Sequence, residues 1–421
     1  MKKKIFALML LICISVGSLS SCLLFDLGFS GTAGSPSGSD GDTNINVEGG
    51  PSYENITINS SHDKNLLAAS KAVLSSVSII CGFEEYKYSF SGVPTGTKET
   101  ASAGSGVIYK LDKEKGDAYV ITNYHVIHNA NSTSVDGISR NINLYLYGME
   151  NLAEGDVSYA IPATYVGGSM NYDIAVLKVT ASKTLIESNA RAVDIADSDD
   201  VTILDTAIAV GNPGGGGLSA TVGNVNVDSE NIAIRFDTAD GAVAVSLRVM
   251  RTDAAVNSGN SGGGLFNDSG ELIGIVNAKN SDTTVDNIGY AIPSNVARAI
   301  ADNAIHYSDG TIKRCMLGIT VGVKKYSTDY NLETGKIRRL EEVVISNIAD
   351  GAAAAEYLKV GYVINSITVD GVTQEVTRVF HVVDSMLAAR VGSAVTINIT
   401  DTDGTTRDVI IPITENMLTN Y

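Results

Sequence analysis

The chain has 421 residues, 44% of them hydrophobic, so it can bury a sizeable core and has room for two or three domains. Its formal net charge is −17, and no run rich in lysine and arginine follows the first four residues. This charge excludes a nucleic-acid-binding surface, because phosphate backbones would be repelled. The hydrophobic content excludes a disordered chain.

The N-terminus predicts an export signal. Three lysines at residues 2–4 precede the apolar run IFALMLLICISV, which is too short to span a bilayer comfortably, and LSSC follows at residues 19–22. Small residues directly before a cysteine resemble the bacterial lipobox, so residues 1–22 are predicted to be a lipoprotein signal peptide with Cys22 acylated. An ordinary secretory signal and a retained membrane helix are the alternatives. We expect a product in the bacterial cell envelope, anchored to a membrane by lipid.

Residues 23–61 are rich in Gly, Ser, Asp and Asn, a composition typical of a flexible tether. Among the cysteines beyond the signal, Cys81 and Cys315 lie far apart and have no metal-ligand spacing. Cys81 is expected to be a buried free thiol because it lies in the apolar run VSIICGF, and a disulfide between the two is the alternative. Neither a metal nor a nucleotide cofactor is implied.

After the tether, short β-rich runs alternate with Gly, Asn and Asp, which predicts a mainly β barrel or sandwich. The predicted strands lie in GSGVIYK, DAYVIT, NINLYLYG, IPATYVGG, DIAVLKV, TAIAVGN and ELIGIVNAK.

The segment VNSGNSGGGLF, residues 256–266, has the composition of a linker but lies inside the β region, between MRTDAAV and a strand–turn–strand pattern. Glycines around a serine permit backbone angles that other residues resist, and they allow successive N–H groups to point into one pocket. The segment therefore predicts an oxyanion hole around Ser261. A purely structural glycine turn is the alternative.

A serine nucleophile needs an imidazole to accept its proton and a carboxylate to orient the imidazole. His125 follows the buried strand YVIT at a turn, whereas His128, expected to be exposed, is a minor alternative. Asp173 opens NYDIAVLKV, directly before an apolar strand, while the acids of VDIADSDD are expected to form a solvated loop. The other histidines are His62, near the tether, and His306 and His381, beyond the catalytic segments.

Together, TNYHVI, YDIAVLKV and DAAVNSGNSGGGLFNDSGELIGIVNA resemble the catalytic segments of the HtrA/DegP serine proteases, in the order His, Asp, Ser. AVGNPGG at residues 209–215 and NIGYAIPSNVARAI at residues 287–300 extend the likeness. The resemblance implies a chymotrypsin-like double β-barrel over residues 62–310. Gly264 departs from the family's usual proline, and the glycine run at residues 214–217 is more flexible than the family's aromatic-containing loop.

The remaining chain, residues 311–421, resembles one PDZ domain. CMLGITV, VVISNIADGAAAAEYLKVGYVINSITVDG and AVTINITDTDGTTRDVIIPI suggest a carboxylate-binding loop followed by strands and a short helix. Tyr362 replaces the usual acidic residue after the glycine. The resemblance implies that C-terminal peptides add a strand to the sheet edge while N–H groups around Leu317, Gly318 and Ile319 hold the peptide carboxylate.

The resemblance implies a tethered, ATP-independent serine endopeptidase in which Ser261 attacks the peptide carbonyl, His125 shuttles the proton and Asp173 orients His125. The backbone N–H groups of Gly259 and Ser261 would stabilise the oxyanion. The resemblance alone implies that the protein forms homotrimers and that its substrates are misfolded exported proteins. The alternatives are a catalytically silent chaperone or peptide-binding module, which the intact triad opposes, and a surface adhesin, which the short tether opposes. Ala255, six positions before Ser261, predicts a preference for small aliphatic side chains.

Overall fold

The computed structural model describes residues 61–91, 93–149, 158–238, 241–277, 288–307 and 310–420. The predicted signal peptide, Cys22 and nearly all of the predicted tether lie outside these ranges. The described part contains five α-helices: α1 (Ser61–Leu74), α2 (Tyr124–Ile127), α3 (Lys183–Glu187), α4 (Ser294–His306) and α5 (Val379–Ser385).

Twenty strands are described. They are β1 (Ser76–Tyr88), β2 (Pro94–Asp112), β3 (Asp117–Thr122), β4 (Asn141–Tyr145), β5 (Ile161–Ser169), β6 (Ile174–Val179), β7 (Thr206–Gly211), β8 (Ser219–Thr238), β9 (Gly241–Thr252), β10 (Gly264–Phe266), β11 (Leu272–Asn277), β12 (Gly289–Pro293), β13 (Lys313–Cys315), β14 (Ile319–Tyr330), β15 (Ile337–Ile348), β16 (Val363–Val369), β17 (Val372–Glu375), β18 (Ala394–Thr400), β19 (Thr406–Pro412) and β20 (Leu418–Asn420).

The first six strands form a closed antiparallel barrel in the order β1-β2-β3-β6-β5-β4. Its centre is filled by β-branched and leucine side chains, among them Ile79, Ile108, Leu144 and Leu177, all fully buried. Residues of this type fit a pleated, closed surface, and closure leaves no unpaired strand edge. The barrel is therefore a rigid support for side chains at its rim.

Strands β7 to β12 close a second antiparallel barrel in the order β10-β11-β12-β9-β8-β7. One buried cluster joins the two barrels: Ile121 of β3 packs in the same core as Ile208 of β7 and Phe266 of β10. Helices α1 and α4 contribute to it as well, for example through Ala72 and Ile300. The predicted mainly β, double-barrel fold is confirmed, and the shared core fixes one barrel relative to the other.

The chain beyond α4 builds a separate sheet of six strands, with β14-β15-β16-β18-β19 in sequence and β17 paired to β16. Strands β13 and β20 form a two-stranded ribbon beside it. This unit has its own core, which includes Val343, Ile367 and Ile397 and receives Val382 from α5. Residues 311–421 therefore contain a second hydrophobic core, as expected of a separate domain.

Helix α5 lies against the second barrel through a cluster of charged residues. Arg248 of β9 pairs with Asp199 at 3.0 Å and with Asp384 of α5 at 2.9 Å, and its guanidinium stacks 3.6 Å from the centre of the Phe380 ring. These side chains are largely buried, and an arginine that stacks on an aromatic ring while pairing with two carboxylates suits an interface better than a lysine would. A cavity of about 890 Å³ opens beside them.

Several expectations about single residues can be compared with the structure. Each of the sequence segments predicted to hold a strand does contain one. Cys81 and Cys315 are buried free thiols, so the prediction for Cys81 is confirmed. The prediction of a solvated loop at VDIADSDD is wrong for Asp199, because its largely buried carboxylate pairs with Arg248. His128 is half-buried rather than exposed, since its ring packs on Tyr124 at 5.4 Å.

Candidate active site

His125 lies in a single helical turn just beyond the end of β3. Strand β3 stops at Thr122, and α2 begins two residues later, so the expected turn is a short helix. The buried side chain of Asn123 donates to the Asp173 carbonyl at 2.8 Å, and the Tyr124 amide donates to the same oxygen at 3.2 Å. These bonds tie the helical turn to the segment before β6.

Asp173 has no exposed surface and adopts a φ of +50°, an uncommon angle for a residue with a side chain. Its Oδ1 accepts the His125 backbone amide at 3.0 Å, and its Oδ2 lies 2.7 Å from His125 Nδ1. Strained backbone of this kind persists only where surrounding contacts hold it, and such positions cluster at functional sites. The carboxylate is therefore fixed at the Nδ1 edge of the imidazole.

Asn277, at the end of β11, belongs to this site but was not predicted from the sequence. Its side chain is buried and donates from Nδ2 to Asp173 Oδ2 at 2.7 Å. Because 104 residues separate the two positions, the pattern IVNA offers no local signal for the contact. With this bond, the Asp173 carboxylate receives hydrogen bonds from both the His125 segment and the second barrel.

Ser261 lies in a tight turn, residues 257–262, which we call the oxyanion turn. Ser261 is 6% exposed, and Gly259 has a φ of +98°. A Cβ at Gly259 would lie 2.1 Å from the Asn212 carbonyl oxygen, so only glycine fits there. In the described part of the chain, the Gly259 amide has no hydrogen-bond acceptor, and it is therefore free to donate to a bound group.

The predicted nucleophile and base open into one cavity of about 530 Å³ between the barrels. His125 and Ser261 both line it, together with Ser102 of β2 and Ser258 of the oxyanion turn. His128 also lies on its wall, but the imidazole that bonds to the Asp173 carboxylate is that of His125. The structure thus brings His125 and Ser261 to one cleft, with the buried Asp173 hydrogen-bonded to His125 behind it.

The predicted carboxylate loop lies on the C-terminal sheet, where β13 leads to β14. Leu317 is buried, and Gly318 has a φ of +73°. Within the described residues, the amides of Leu317 and Gly318 have no hydrogen-bond acceptor, whereas the Gly318 carbonyl accepts the Ala349 amide at 2.8 Å. Two adjacent free amides can bind an anion.

Two closed barrels with a histidine, a buried aspartate and a serine in the cleft between them define a trypsin-like serine peptidase. The family model "Trypsin-like peptidase domain" matches residues 104–275. A Serine protease Do-like HtrA of Lactococcus lactis subsp. cremoris is 33% identical over 345 residues, covering 76% of each chain. The chain belongs to the HtrA family of serine proteases.

Other relatives match a smaller share of their own length. Serine protease Do-like HtrA of Bacillus subtilis is 35% identical, and the match spans 52% of this chain and 43% of that protein. Periplasmic serine endoprotease DegP of Escherichia coli is 32% identical over 63% of this chain and 48% of that one. A serine endoprotease structure from Yersinia pestis superposes with a TM-score of 0.43 at 23% identity, covering 87% of this chain and 100% of that chain.

Proposed function

We propose that the chain is an ATP-independent serine endopeptidase whose nucleophile is Ser261. The observation that carries the proposal is the 2.7 Å pair between His125 Nδ1 and the buried Asp173 carboxylate, in a cleft that Ser261 shares. An ionised carboxylate accepts a hydrogen bond from Nδ1–H, which leaves the lone pair of the imidazole on Nε2. That nitrogen can then take the Ser261 hydroxyl proton during attack on a peptide carbonyl.

The amides of Gly259 and Ser261 form the proposed oxyanion hole. As the serine oxygen adds to the carbonyl carbon, the carbonyl oxygen gains negative charge, which two fixed N–H donors stabilise. His125 next gives its proton to the leaving amine, and a water molecule repeats the sequence to free Ser261. In these steps the nucleophile, the base and the oxyanion donors are all groups of this chain, and water supplies the second nucleophile.

Covalent labelling tests the assignment of the nucleophile. A serine-directed phosphonate is expected to label wild-type protein at Ser261, and peptide mapping by mass spectrometry locates the adduct. Ser261→Ala and His125→Ala should remove labelling, whereas Ser269→Ala, at an exposed serine in the turn before β11, should retain it. Labelling of folded Ser261→Ala at the wild-type rate would refute the assignment.

We propose unfolded or misfolded exported proteins as the substrates and a homotrimer as the assembly. The predicted export signal and the name of the Escherichia coli relative, a periplasmic serine endoprotease, support an envelope location. We also propose residues 62–310 as the protease domain and residues 311–421 as a PDZ domain. A hydrophobic core formed entirely by the C-terminal segment supports this division, while Ile312 and Leu387 pack in the core that joins the barrels. Analytical ultracentrifugation tests the assembly, and a monomer at micromolar concentration would refute it.

The proposed role of the C-terminal domain is to bind C-terminal peptides, which present substrate or regulate cleavage. The free amides of Leu317 and Gly318, next to Ile319 at the start of β14, support this role. Calorimetry on the full-length Ser261→Ala protein should detect a peptide with a free apolar C-terminus. Amidation of that terminus should weaken binding because the amides lose an anionic partner. Equal affinity of the two peptides would contradict a carboxylate site.

We propose that Cys22 carries a lipid that anchors the protein to a membrane. This residue lies outside the described part of the chain, and none of the described helices is long and apolar enough to cross a bilayer. Mass spectrometry of the N-terminus should find an acylated Cys22, and Cys22→Ala should be released from membranes or left unprocessed. A soluble wild-type product cleaved elsewhere would refute the anchor.

A further inference from the structure

Ser105, in β2 of the first barrel, contacts the oxyanion turn of the second barrel with its backbone and with its side chain. Its amide donates to the Ser261 carbonyl at 2.8 Å, and its hydroxyl donates to the Gly259 carbonyl at 2.8 Å. The same hydroxyl oxygen accepts the Asn212 amide at 2.8 Å. Ser105 is fully buried, so no water competes for these bonds.

Within the oxyanion turn, the carbonyl groups of residues 257–261 all accept hydrogen bonds. The Asn257 carbonyl accepts the Asn260 amide at 2.9 Å, and the Ser258 carbonyl accepts the Gly214 amide at 3.0 Å. In a trans peptide the N–H points opposite to the C=O, so holding the Ser258 carbonyl towards Gly214 aims the Gly259 N–H the other way. The orientation of the proposed oxyanion hole is therefore decided by what holds these carbonyl groups.

The Gly259 carbonyl belongs to the next peptide, and the Ser105 hydroxyl is the only side chain that donates to it among the described residues. The Asn212 amide donates a longer bond to the Gly259 carbonyl, at 3.4 Å, and the same amide also donates to Ser105 Oγ. Because glycine can adopt backbone conformations that other residues avoid, the peptides on either side of Gly259 can rotate away from the cleft when the Ser105 bond is absent. We propose that Ser105 is a positioning residue that keeps the oxyanion turn in its donating conformation.

This inference rests on the proposed catalytic function and concerns the same site. Ser105 is absent from the wall of the cleft, so its hydroxyl acts on the turn and has no contact with substrate. Substrate binding should therefore be preserved when the hydroxyl is removed, while stabilisation of the transition state should suffer. Loss of one oxyanion donor lowers kcat by about 10²–10³-fold, which is the upper limit for an indirect effect of this kind.

The test compares steady-state kinetics of Ser105→Ala with those of Ser76→Ala on a peptide that the wild-type protein cleaves. Ser76 is a matched control because it is also buried on a barrel strand, and its hydroxyl donates to the Ala72 carbonyl at 2.8 Å, away from the cleft. We expect Ser105→Ala to lower kcat about 10- to 100-fold with KM within about twofold, and the rate of phosphonate labelling to fall in parallel. Ser76→Ala should keep its kcat within about twofold.

A kcat for Ser105→Ala that equals that of Ser76→Ala would overturn the inference, as would a higher KM with an unchanged kcat. Circular dichroism establishes that each variant is folded. If Ser105→Ala does not fold, Ser105→Cys takes its place, because a thiol is a weak donor; an unchanged kcat in that variant also overturns the inference. A wild-type protein that cleaves nothing refutes the proposed function itself, which separates the two failures.

Discussion

The Asp173 carboxylate accepts three hydrogen bonds, from the backbone and ring of His125 and from Asn277. Asp173→Asn would replace one carboxylate oxygen with an NH2 group, which cannot accept a hydrogen bond from Nδ1–H and so favours the wrong imidazole tautomer. We predict a fall in kcat of about 10³–10⁴-fold with little change in folding. Asp329→Asn, an exposed charge change on β14, serves as the control in the same kinetic assay. A loss of less than about tenfold would contradict the orienting role.

Ala255, six residues before Ser261, offers no charge to a substrate side chain. The nearby Asp253 is exposed, and its carboxylate accepts the Asn224 amide at 2.6 Å. We therefore predict cleavage after small aliphatic residues such as Val or Ala, and Ala255→Asp should increase cleavage after Lys and Arg. Mass spectrometric mapping of cut sites in an unfolded protein measures both effects. A dominant wild-type preference for Lys or Arg would contradict the prediction.

Each residue of the proposed triad has a local signature in the sequence: His125 follows an apolar strand, Asp173 precedes one, and Ser261 lies among glycines. The residues that support the triad have none. Asn277 and Ser105 reach their partners across 104 and 154 positions, and a single polar residue in a strand is compatible with many roles. Only the packing of the two barrels shows which polar groups meet.

At the scale of elements, α5 and β9 share a buried ionic cluster that should respond to pH. Burial raises the pKa of Asp384 from 3.8 to about 6, against the opposing attraction of Arg248. Between these two values the folded protein binds more protons at Asp384 than the unfolded chain does, so this group's contribution to stability falls as pH rises. Burial lowers the pKa of the neighbouring His381, so the contribution of this histidine to stability rises as pH rises. His381 is unchanged when Asp384 is substituted, so a comparison with wild type isolates the effect of Asp384.

We therefore predict that Asp384→Asn gains melting temperature relative to wild type as the pH rises from about 4.5 to about 7.5. Thermal unfolding followed by calorimetry over this range measures the difference. Asp350→Asn, at an exposed aspartate of the same domain, should show a difference that is nearly constant with pH. A constant difference for Asp384→Asn as well would show that the carboxyl group does not titrate as the buried contact requires.

The elements that the sequence predicted are those with clear alternation or a continuous apolar run, such as β3 and β6. The long hairpin of β8 and β9 was not among the predicted strands, although Ile232, Ile234 and Phe236 alternate with exposed residues in the period of two that indicates a strand. Helix α5 was missed because VFHVVDS is short and rich in β-branched residues, which have low helix propensity. Its helical form depends on packing against the C-terminal sheet.

At the scale of the molecule, the C-terminal domain is attached closely to the protease. Besides the α5 contact, Lys336 pairs with Asp205 at 2.8 Å and Arg338 pairs with Asp200 at 2.8 Å. These bridges are partly exposed, so each contributes about 0–1 kcal/mol, whereas Leu387 of the C-terminal domain is fully buried in the core that joins the two barrels. No local sequence pattern predicts such an interface, since its charges come from distant segments.

The most direct measurement of the central claim is digestion of casein by wild-type and Ser261→Ala protein, purified in parallel and matched for folding by circular dichroism. We predict that wild-type protein fragments casein without ATP and that Ser261→Ala leaves it intact, because the serine oxygen is the attacking group. Fragmentation by pure Ser261→Ala, or a folded wild-type protein that cuts nothing and only binds the substrate, would contradict a serine endopeptidase centred on Ser261.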